Sequence, residues 1–159
     1  MNAVPRKAEG ILPSADSHSF GYEKFEQYIL RFNAKDATAF DYYLAQDVCI
    51  LNGTLELRGI QGMKDHYEGA IWPFFDETIR INRFVSDGQT LAVSMWTHFV
   101  ATRRGESLFG PLSEGDAFDF RGLVMYEIEA TKFSKITVAY NSFIRTSANG
   151  AAIDLGLPH

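Results

Sequence analysis

The sequence predicts an α+β fold in which three N-terminal helices cover the concave face of a bent, antiparallel sheet. Two observations carry this prediction. Apolar residues recur at helical spacing in the first half of the chain, and after Asp76 the pattern changes to an alternation of period two, which is typical of strands. The predicted strands are long enough to bend, and a bent sheet with helices on its concave side encloses a cone-shaped cavity. This cavity is the expected functional site.

Three helices are predicted before the long strands begin. Asp36 is the predicted N-cap of the short second helix, in "ATAFDYYLAQD", and Pro73 marks the end of the third, in "IQGMKDHYEGAIWPFFD". The first helix, in "SFGYEKFEQYILRFNAKD", is indicated by four apolar residues at helical spacing: Phe25, Tyr28, Ile29 and Phe32.

The strand pattern predicts a short pair followed by a meander. Residues 47–58 fit a short strand pair, because the turn signal "NGT" separates "DVCIL" from "LELRG". Turn-forming segments separate the later strands, so an antiparallel meander is the simplest topology. Four long strands are predicted at residues 77–87, 89–104, 116–130 and 134–146.

Length and composition favour one globular domain. The chain has 159 residues, of which 46% are hydrophobic, and this is enough to form one substantial core. We expect a flexible N-terminal arm over residues 1–18, the folded domain over 19–147 and a C-terminal tail over 148–159. The net charge of -5 argues against nucleic-acid binding, which depends on clustered Lys and Arg.

Several other classes of protein are disfavoured by missing signals. Cys49 is the single cysteine, so no intramolecular disulfide can form, and the N-terminus lacks the apolar run of a signal peptide. No segment approaches the roughly 20 apolar residues that span a bilayer. No histidine pair has metal-ligand spacing, and nucleotide-binding and serine-hydrolase motifs are missing. We therefore expect a cytoplasmic protein with no membrane contact, metal or cofactor.

Two segments carry a family resemblance. "EQYILRFNAKD" looks like the first helix of ketosteroid isomerases, and "RGIQGMKDHYEG" looks like their third helix. With the order of elements, these segments resemble the NTF2-like superfamily, a group of cone-shaped proteins. It contains ketosteroid isomerases, SnoaL-type polyketide cyclases, scytalone dehydratases and limonene epoxide hydrolases. The resemblance covers roughly residues 20–145 and implies a cone-shaped fold with a pocket for a small molecule.

Only some of the catalytic residues of these families have a counterpart in this sequence. The oxyanion-donating tyrosine of the isomerases falls on Tyr28, but their base aspartate falls on Asn52 and their protonated aspartic acid on Val124. An amide cannot take a proton from carbon near neutral pH, so the ketosteroid reaction is not expected. Asn52 also resembles the water-orienting asparagine of the epoxide hydrolases. Their Arg-x-Asp is replaced by Trp96-Thr97-His98, which disfavours that reaction as well.

The same superposition turns Ser94, Trp96 and His98 toward the cone. His98 is then the predicted general acid/base, because imidazole titrates near neutrality, with Tyr28 and Asn52 as its catalytic partners. The alternative is a buried, neutral histidine whose nitrogens are both hydrogen-bonded. Its acidic partner is left open among Asp116, Asp119 and Glu127, of which the last two have the wrong parity unless a bulge re-aims them. The predicted substrate-binding residues are Trp96, Phe120, Val124, Tyr126, Asn141 and Phe143.

These assignments predict a cofactor-independent isomerase or cyclase that rearranges a small hydrophobic, oxygenated metabolite of polyketide, terpenoid or alkaloid type. A dehydratase acting on a similar substrate is one alternative, and a non-catalytic ligand-binding or adaptor domain is another. A homodimer through the convex sheet face is also expected, because the outward face predicted to carry Met95, Phe99, Arg121 and Tyr140 is apolar enough for an interface.

Overall fold

The computed structural model describes residues 20–157; the predicted arm over residues 1–18 lies outside them, as do residues 158 and 159. The helices are α1 (Tyr22–Asn33), α2 (Thr38–Tyr43) and α3 (Gly59–His66), and a π-helical turn (Tyr67–Ile71) continues α3. The strands are β1 (Leu44–Asn52), β2 (Leu55–Arg58), β3 (Phe75–Ser86), β4 (Thr90–Ala101), β5 (Gly105–Ser107), β6 (Gly110–Leu112), β7 (Ala117–Glu129), β8 (Lys132–Thr146) and β9 (Ala152–Asp154).

The main sheet has the order β2-β1-β8-β7-β4-β3, and β9 pairs with β8. The predicted α+β class, the three N-terminal helices and the antiparallel meander of the four long strands β3, β4, β7 and β8 are confirmed. The sequence did not predict that β1 runs parallel to β8. Nor did it predict the β5–β6 hairpin, or that the expected tail supplies β9.

The helices cover the concave face, and the core lies between the two layers. The apolar side of α1 is buried against the sheet, as its helical spacing predicts. One cluster of buried side chains joins the helices to the sheet, and a second fills the end of the sheet near the β5–β6 hairpin. Tyr67 and Trp72, at the π-helical turn, pack against both clusters. The cavity described below lies where the two clusters meet.

The predicted orientation of β4 is wrong. Its buried side is the one that carries Met95, Thr97 and Phe99, whereas Trp96 and His98 lie on the outer, convex side. Antiparallel partners share a face. Thr97 is opposite the buried Phe120, so the neighbouring His98 must point the other way.

The predicted dimer face needs the same correction. Met95 and Phe99 are buried, and Tyr140 lines the internal cavity together with Met95. Only Arg121 of the four named residues is exposed on the outer face, where Leu123 follows it at the same parity. Homodimerisation through the convex face stays a prediction.

Candidate functional site

A cavity lies between the helices and the concave face of the sheet, and it consists of two adjoining chambers. The inner chamber has a volume of about 70 Å³ and lies under α1. The outer chamber has a volume of about 460 Å³, within the range of small-molecule sites, and extends to the tip of the β5–β6 hairpin. Six residues line both chambers: Asn52, Leu55, His66, Tyr67, Glu77 and Tyr140.

The linings of the two chambers differ in chemistry. Tyr28, Tyr126 and Thr97 bring hydroxyl groups into the otherwise mainly aliphatic inner chamber. In the outer chamber Phe120 and Phe143 stack, with ring centroids 4.1 Å apart and an interplanar angle of 15°. Within the part of the chain that the structure describes, no Lys or Arg lines either chamber. The cavity therefore suits an uncharged, largely apolar molecule with oxygen atoms.

Glu77 is the one carboxylic acid in the described lining of either chamber. It lies on β3, and only 5% of its surface is exposed. Its Oε2 atom is buried and has no hydrogen-bond partner among residues 20–157. Burial raises the pKa of Glu77 to about 8, although the charge of Lys35 acts in the opposite direction. A carboxyl group with this pKa can hold or release a proton near neutral pH.

Contacts from the end of α1 fix the segment of β3 that carries Glu77. The Asn33 side chain accepts a hydrogen bond from the Ile79 N–H at 2.8 Å and donates one to the Ile79 carbonyl at 3.0 Å. These bonds occupy the backbone groups that an edge strand otherwise leaves unpaired. Lys35 Nζ also lies 2.7 Å from Asp76 Oδ1, beside Glu77 in the sequence. The position of Glu77 is thus held by residues on either side of it.

Four tyrosines line the cavity that Glu77 faces. Tyr28, Tyr67, Tyr126 and Tyr140 line one or both chambers, and burial raises the pKa of each above the ordinary value. For Tyr28, Tyr67 and Tyr140, the charge of Glu77 is a further cause of the raised pKa. The hydroxyls of these three tyrosines are therefore within the electrostatic reach of the Glu77 carboxylate. Phenols in this state stay protonated and can donate hydrogen bonds to a substrate oxygen.

His66 is the one histidine among the described lining residues. It ends α3, immediately before the π-helical turn, and its ring lies edge-on to Tyr67 with centroids 5.0 Å apart. Partial burial lowers the pKa of His66. Burial therefore favours the neutral form of this imidazole.

Six of the residues predicted from the sequence line the cavity, although their roles stay predictions. Tyr28, Val124 and Tyr126 line the inner chamber, Phe120 and Phe143 the outer one, and Asn52 both. The other three are elsewhere: Trp96 and His98 are on the convex face, and Asn141 is an exposed residue outside the lining.

His98 belongs to a separate cluster on the convex face. Asp119 Oδ1 accepts a hydrogen bond of 2.6 Å from the Trp96 indole and lies 2.7 Å from His98 Nδ1. The Arg80 guanidinium covers the Trp96 ring at 4.8 Å from its centroid. Asp119 is therefore the acidic partner that the sequence left open, but the pair lies outside the cavity. The predicted role of His98 inside the cone is incompatible with this position.

The sequence contains a signal for Glu77, although this residue was not among the predicted site residues. In β3 the residues Glu77, Ile79 and Ile81 share one side, and Thr78 and Arg80 share the other. A carboxylate on the apolar side of an amphipathic strand is unusual and therefore informative.

The sequence matches the family model described as the SnoaL-like domain over residues 25–136. No curated protein sequence matches this chain at a significant level. Within residues 20–157, no group of three His, Cys, Asp or Glu side chains is placed to hold a metal ion. None of the helices in the described range has the length and apolar content needed to cross a membrane.

Solved structures share the fold at low sequence identity. A candidate polyketide cyclase from Xanthomonas campestris pv. campestris has 20% identity and a TM-score of 0.64, covering 74% of this chain and 87% of that one. The Δ5-3-ketosteroid isomerase of a Mycobacterium species has 12% identity and a TM-score of 0.60, covering 77% and 95%. An NTF2-like protein of unknown function from Burkholderia pseudomallei K96243 has 10% identity and a TM-score of 0.59, covering 74% and 88%. The predicted resemblance to the NTF2-like superfamily is confirmed.

Proposed function

Since this chain belongs to the SnoaL-like domain family, we propose that it is a cofactor-independent isomerase or cyclase that moves a proton on a small, uncharged, oxygenated substrate. The observation that carries the proposal is the carboxyl group of Glu77. It is buried in the lining of both chambers and has an oxygen without a partner in the described part of the chain. Perturbed and unpartnered carboxyls in a pocket are typical of catalytic sites.

In the proposed reaction, Glu77 removes a proton from a carbon next to a substrate carbonyl. The C–H electron pair moves into the new carbon–carbon double bond, and the carbonyl oxygen gains the negative charge. Tyr140, which lines both chambers, donates a hydrogen bond to this oxygen, as in oxyanion stabilisation. Where the enolate is conjugated with a carbon–carbon double bond, return of the proton from Glu77 to the far carbon of that system gives an isomer. Attack of the enolate carbon on a second carbonyl closes a ring, and the resulting alkoxide takes the proton back from Glu77.

The two chambers define the kind of substrate. The stacked Phe120 and Phe143 form a flat wall of the outer chamber, which suits a flat ring system. The inner chamber, at about 70 Å³, accepts only a small substituent. Because no Lys or Arg of the described residues lines the cavity, a carboxylated or phosphorylated substrate finds no counter-charge there.

The direction of the pH dependence separates this reaction from the dehydratase alternative. With a pKa of about 8, Glu77 is mostly protonated at pH 7 in the empty cavity. If Glu77 acts as a base, kcat/KM rises with pH and levels off above about 8. A dehydratase that uses Glu77 as an acid to protonate a leaving hydroxyl loses activity over the same interval.

Exchange of carbon-bound protons tests the proposal without knowledge of the natural substrate. β-Tetralone, a neutral bicyclic ketone, is incubated in D₂O with the protein, and loss of its α-proton signal is followed by NMR. We expect exchange faster than in buffer, and a decrease of roughly 10²–10⁴-fold in Glu77→Gln, as is typical for loss of a general base.

His98→Gln is the matched control, because it changes a titratable residue on the convex face. It is expected to exchange at the wild-type rate. A folded Glu77→Gln protein with wild-type exchange would refute the role of Glu77. If the wild-type protein binds β-tetralone without accelerating exchange, the ligand-binding alternative is supported instead.

A further inference from the structure

The last long strand contains a β-bulge that decides which of its side chains enter the cavity. In the β7–β8 pair, Arg121 is opposite Ser142 and Gly122 is opposite Tyr140, so Asn141 is an extra residue in β8. On one side of the bulge Phe143 lines the outer chamber. Uninterrupted alternation from Phe143 would turn Asn141 inward. With the bulge, Asn141 is exposed and Tyr140 lines both chambers.

The residue opposite the bulge has no room for a side chain. A Cβ atom at Gly122 would lie 2.3 Å from the Ala139 carbonyl oxygen and 2.7 Å from the Tyr140 Cα. Both neighbours are backbone atoms, which cannot rotate away as a flexible side chain can. Glycine is thus required here by the close approach of β8, as is common where strands bulge.

We propose that Gly122 is a positioning residue: by carrying no side chain, it admits the bulge at Asn141, and this bulge sets the Tyr140 phenol in the cavity beside Glu77. The inference rests on the proposed function only for its effect on turnover. The geometric part, that a side chain at position 122 displaces the Tyr140 phenol, can be tested without any substrate.

Two further observations describe the surroundings of the Tyr140 phenol. The Tyr140 ring packs on Phe120 with centroids 4.8 Å apart, so it forms part of the aromatic wall of the outer chamber. Burial, and to a smaller extent the charge of Glu77, raise the pKa of Tyr140, while the Thr97 hydroxyl lowers it. A shift of about 1 Å in a catalytic group can reduce turnover by about a hundredfold.

NMR of protein labelled with ¹³C at the tyrosine Cζ tests the geometric part. Between pH 6 and 9 the Tyr140 signal, assigned by loss in Tyr140→Phe, is expected to shift with an inflection near the pKa of Glu77, which is about 8. Glu77→Gln is expected to abolish the inflection. Gly122→Ala is expected to reduce the size of the inflection in the Tyr140 signal. The inflection in the Tyr28 signal should be unchanged, although the pKa of Tyr28 also depends on Glu77.

The matched control is Gly62→Ala in α3, where a Cβ would meet no atom closer than 3.9 Å. It is expected to leave all tyrosine signals unchanged. If Gly122→Ala folds and the Tyr140 inflection is as large as in the wild type, the inference is wrong.

Should Gly122→Ala fail to fold, deletion of Asn141 supplies the second test. The deletion removes the bulge and keeps Tyr140 opposite Gly122, so Gly122→Ala is then expected to be tolerated. Equal destabilisation by Gly122→Ala with and without Asn141 would show that the glycine requirement does not arise from the bulge.

A double-variant cycle tests the effect on turnover in the β-tetralone exchange assay. Tyr140→Phe is expected to lower the rate by roughly 10²–10³-fold, as for loss of an oxyanion donor. Gly122→Ala is expected to lower it in the wild type but to add nothing in Tyr140→Phe. Equal losses in both backgrounds would indicate a merely structural role. No loss in Tyr140→Phe would contradict the proposed function and leave the NMR result intact.

Discussion

Two buried carboxyl groups in this protein, Glu77 and Asp116, have opposite environments. Asp116 is 2% exposed and accepts hydrogen bonds from the Ser113 N–H, the Ala148 N–H and the Arg145 guanidinium at 2.9, 3.0 and 2.7 Å. These partners lower the pKa of Asp116, the Ser113 N–H most of all. Glu77 is buried to a similar degree, but its Oε2 has no partner in the described chain and its pKa is raised.

The difference separates a structural carboxylate from a candidate catalytic one. A charge that is fully hydrogen-bonded fixes the segments that bond to it, whereas a charge without partners destabilises the fold and is retained at functional sites. Asp116 joins the start of β7 to the chain after β8 through Ala148. The Oε2 atom of Glu77 has no hydrogen-bond partner in the described chain, and the side chain faces a cavity.

The largest effect on stability is expected from Asp116→Asn. It removes the charge that binds Arg145 and two backbone N–H groups, and such losses cost about 2–4 kcal/mol. Glu77→Gln at pH 6 replaces a neutral acid by a neutral amide and is expected to change stability by less than about 1 kcal/mol. Urea denaturation of both variants checks the difference. Equal destabilisation would remove the distinction between the two groups.

The pH dependence of stability should have opposite signs for the two groups. The pKa of Glu77 is about 8 in the folded state and 4.5 as the ordinary value, so the folded state retains a proton that the unfolded state has lost. Between these pH values, Glu77 makes the free energy of unfolding fall by up to about 1.4 kcal/mol per pH unit. Denaturation of the wild type and Glu77→Gln from pH 5 to 9 should show the variant gaining relative stability as pH rises.

For Asp116, stability is expected to be lost at acidic pH. Its folded-state pKa lies below the ordinary 3.8, so its contribution is present above that value and disappears as pH falls through the folded-state pKa. Acid titration monitored by circular dichroism should show a smaller acid-induced loss of stability in Asp116→Asn than in the wild type. If Asp116→Asn loses as much stability in acid as the wild type does, groups other than Asp116 are responsible for the acid sensitivity.

A smaller effect is expected at His98. His98 and Asp119 form a pair on the convex face, with partly exposed side chains. Such pairs contribute about 1 kcal/mol or less, so His98→Ala should lower stability by no more than this in urea denaturation. A loss of several kcal/mol would show that the outer cluster anchors the sheet.

The smallest effect is expected from Lys35→Gln, which removes the positive charge that lowers the pKa of Glu77. The ¹³C titration midpoint of Glu77 should move to higher pH by a fraction of a unit, because Lys35 is already paired with Asp76 at 2.7 Å. A midpoint that moves to lower pH would contradict the assigned sign.

Periodicity in the sequence was sufficient for the helices and the four long strands. Phe120, Val124 and Tyr126 of β7 were placed inward by extending the family superposition, and the alternation of apolar residues with exposed ones such as Arg121 favours the same face. The same rule applied to β4 favours Val93, Met95 and Phe99 as the buried side. The family superposition gave the opposite orientation, and β-sheet parity makes an error of one residue move every side chain to the wrong face.

The other features depend on contacts that local sequence does not encode. The parallel pairing of β1 with β8 joins segments about 90 residues apart. The extra residue at Asn141 shifts the alternation within β8, so that Tyr140 and Phe143 both line the cavity, and the sequence pattern was not recognised as a bulge. Glu77 could be noticed as a charge on an apolar strand face, but its missing hydrogen bonds became evident only from the packed cavity.

The pKa of Glu77 is the property on which the proposed chemistry depends most directly, and it can be measured by NMR of protein labelled with ¹³C at the glutamate Cδ. The signal that disappears in Glu77→Gln identifies the residue. A midpoint near 8 is expected, in agreement with burial in an apolar cavity. A midpoint near the ordinary 4.5 would show that the carboxyl is solvated or paired, and would contradict the assignment of Glu77 as the proton carrier.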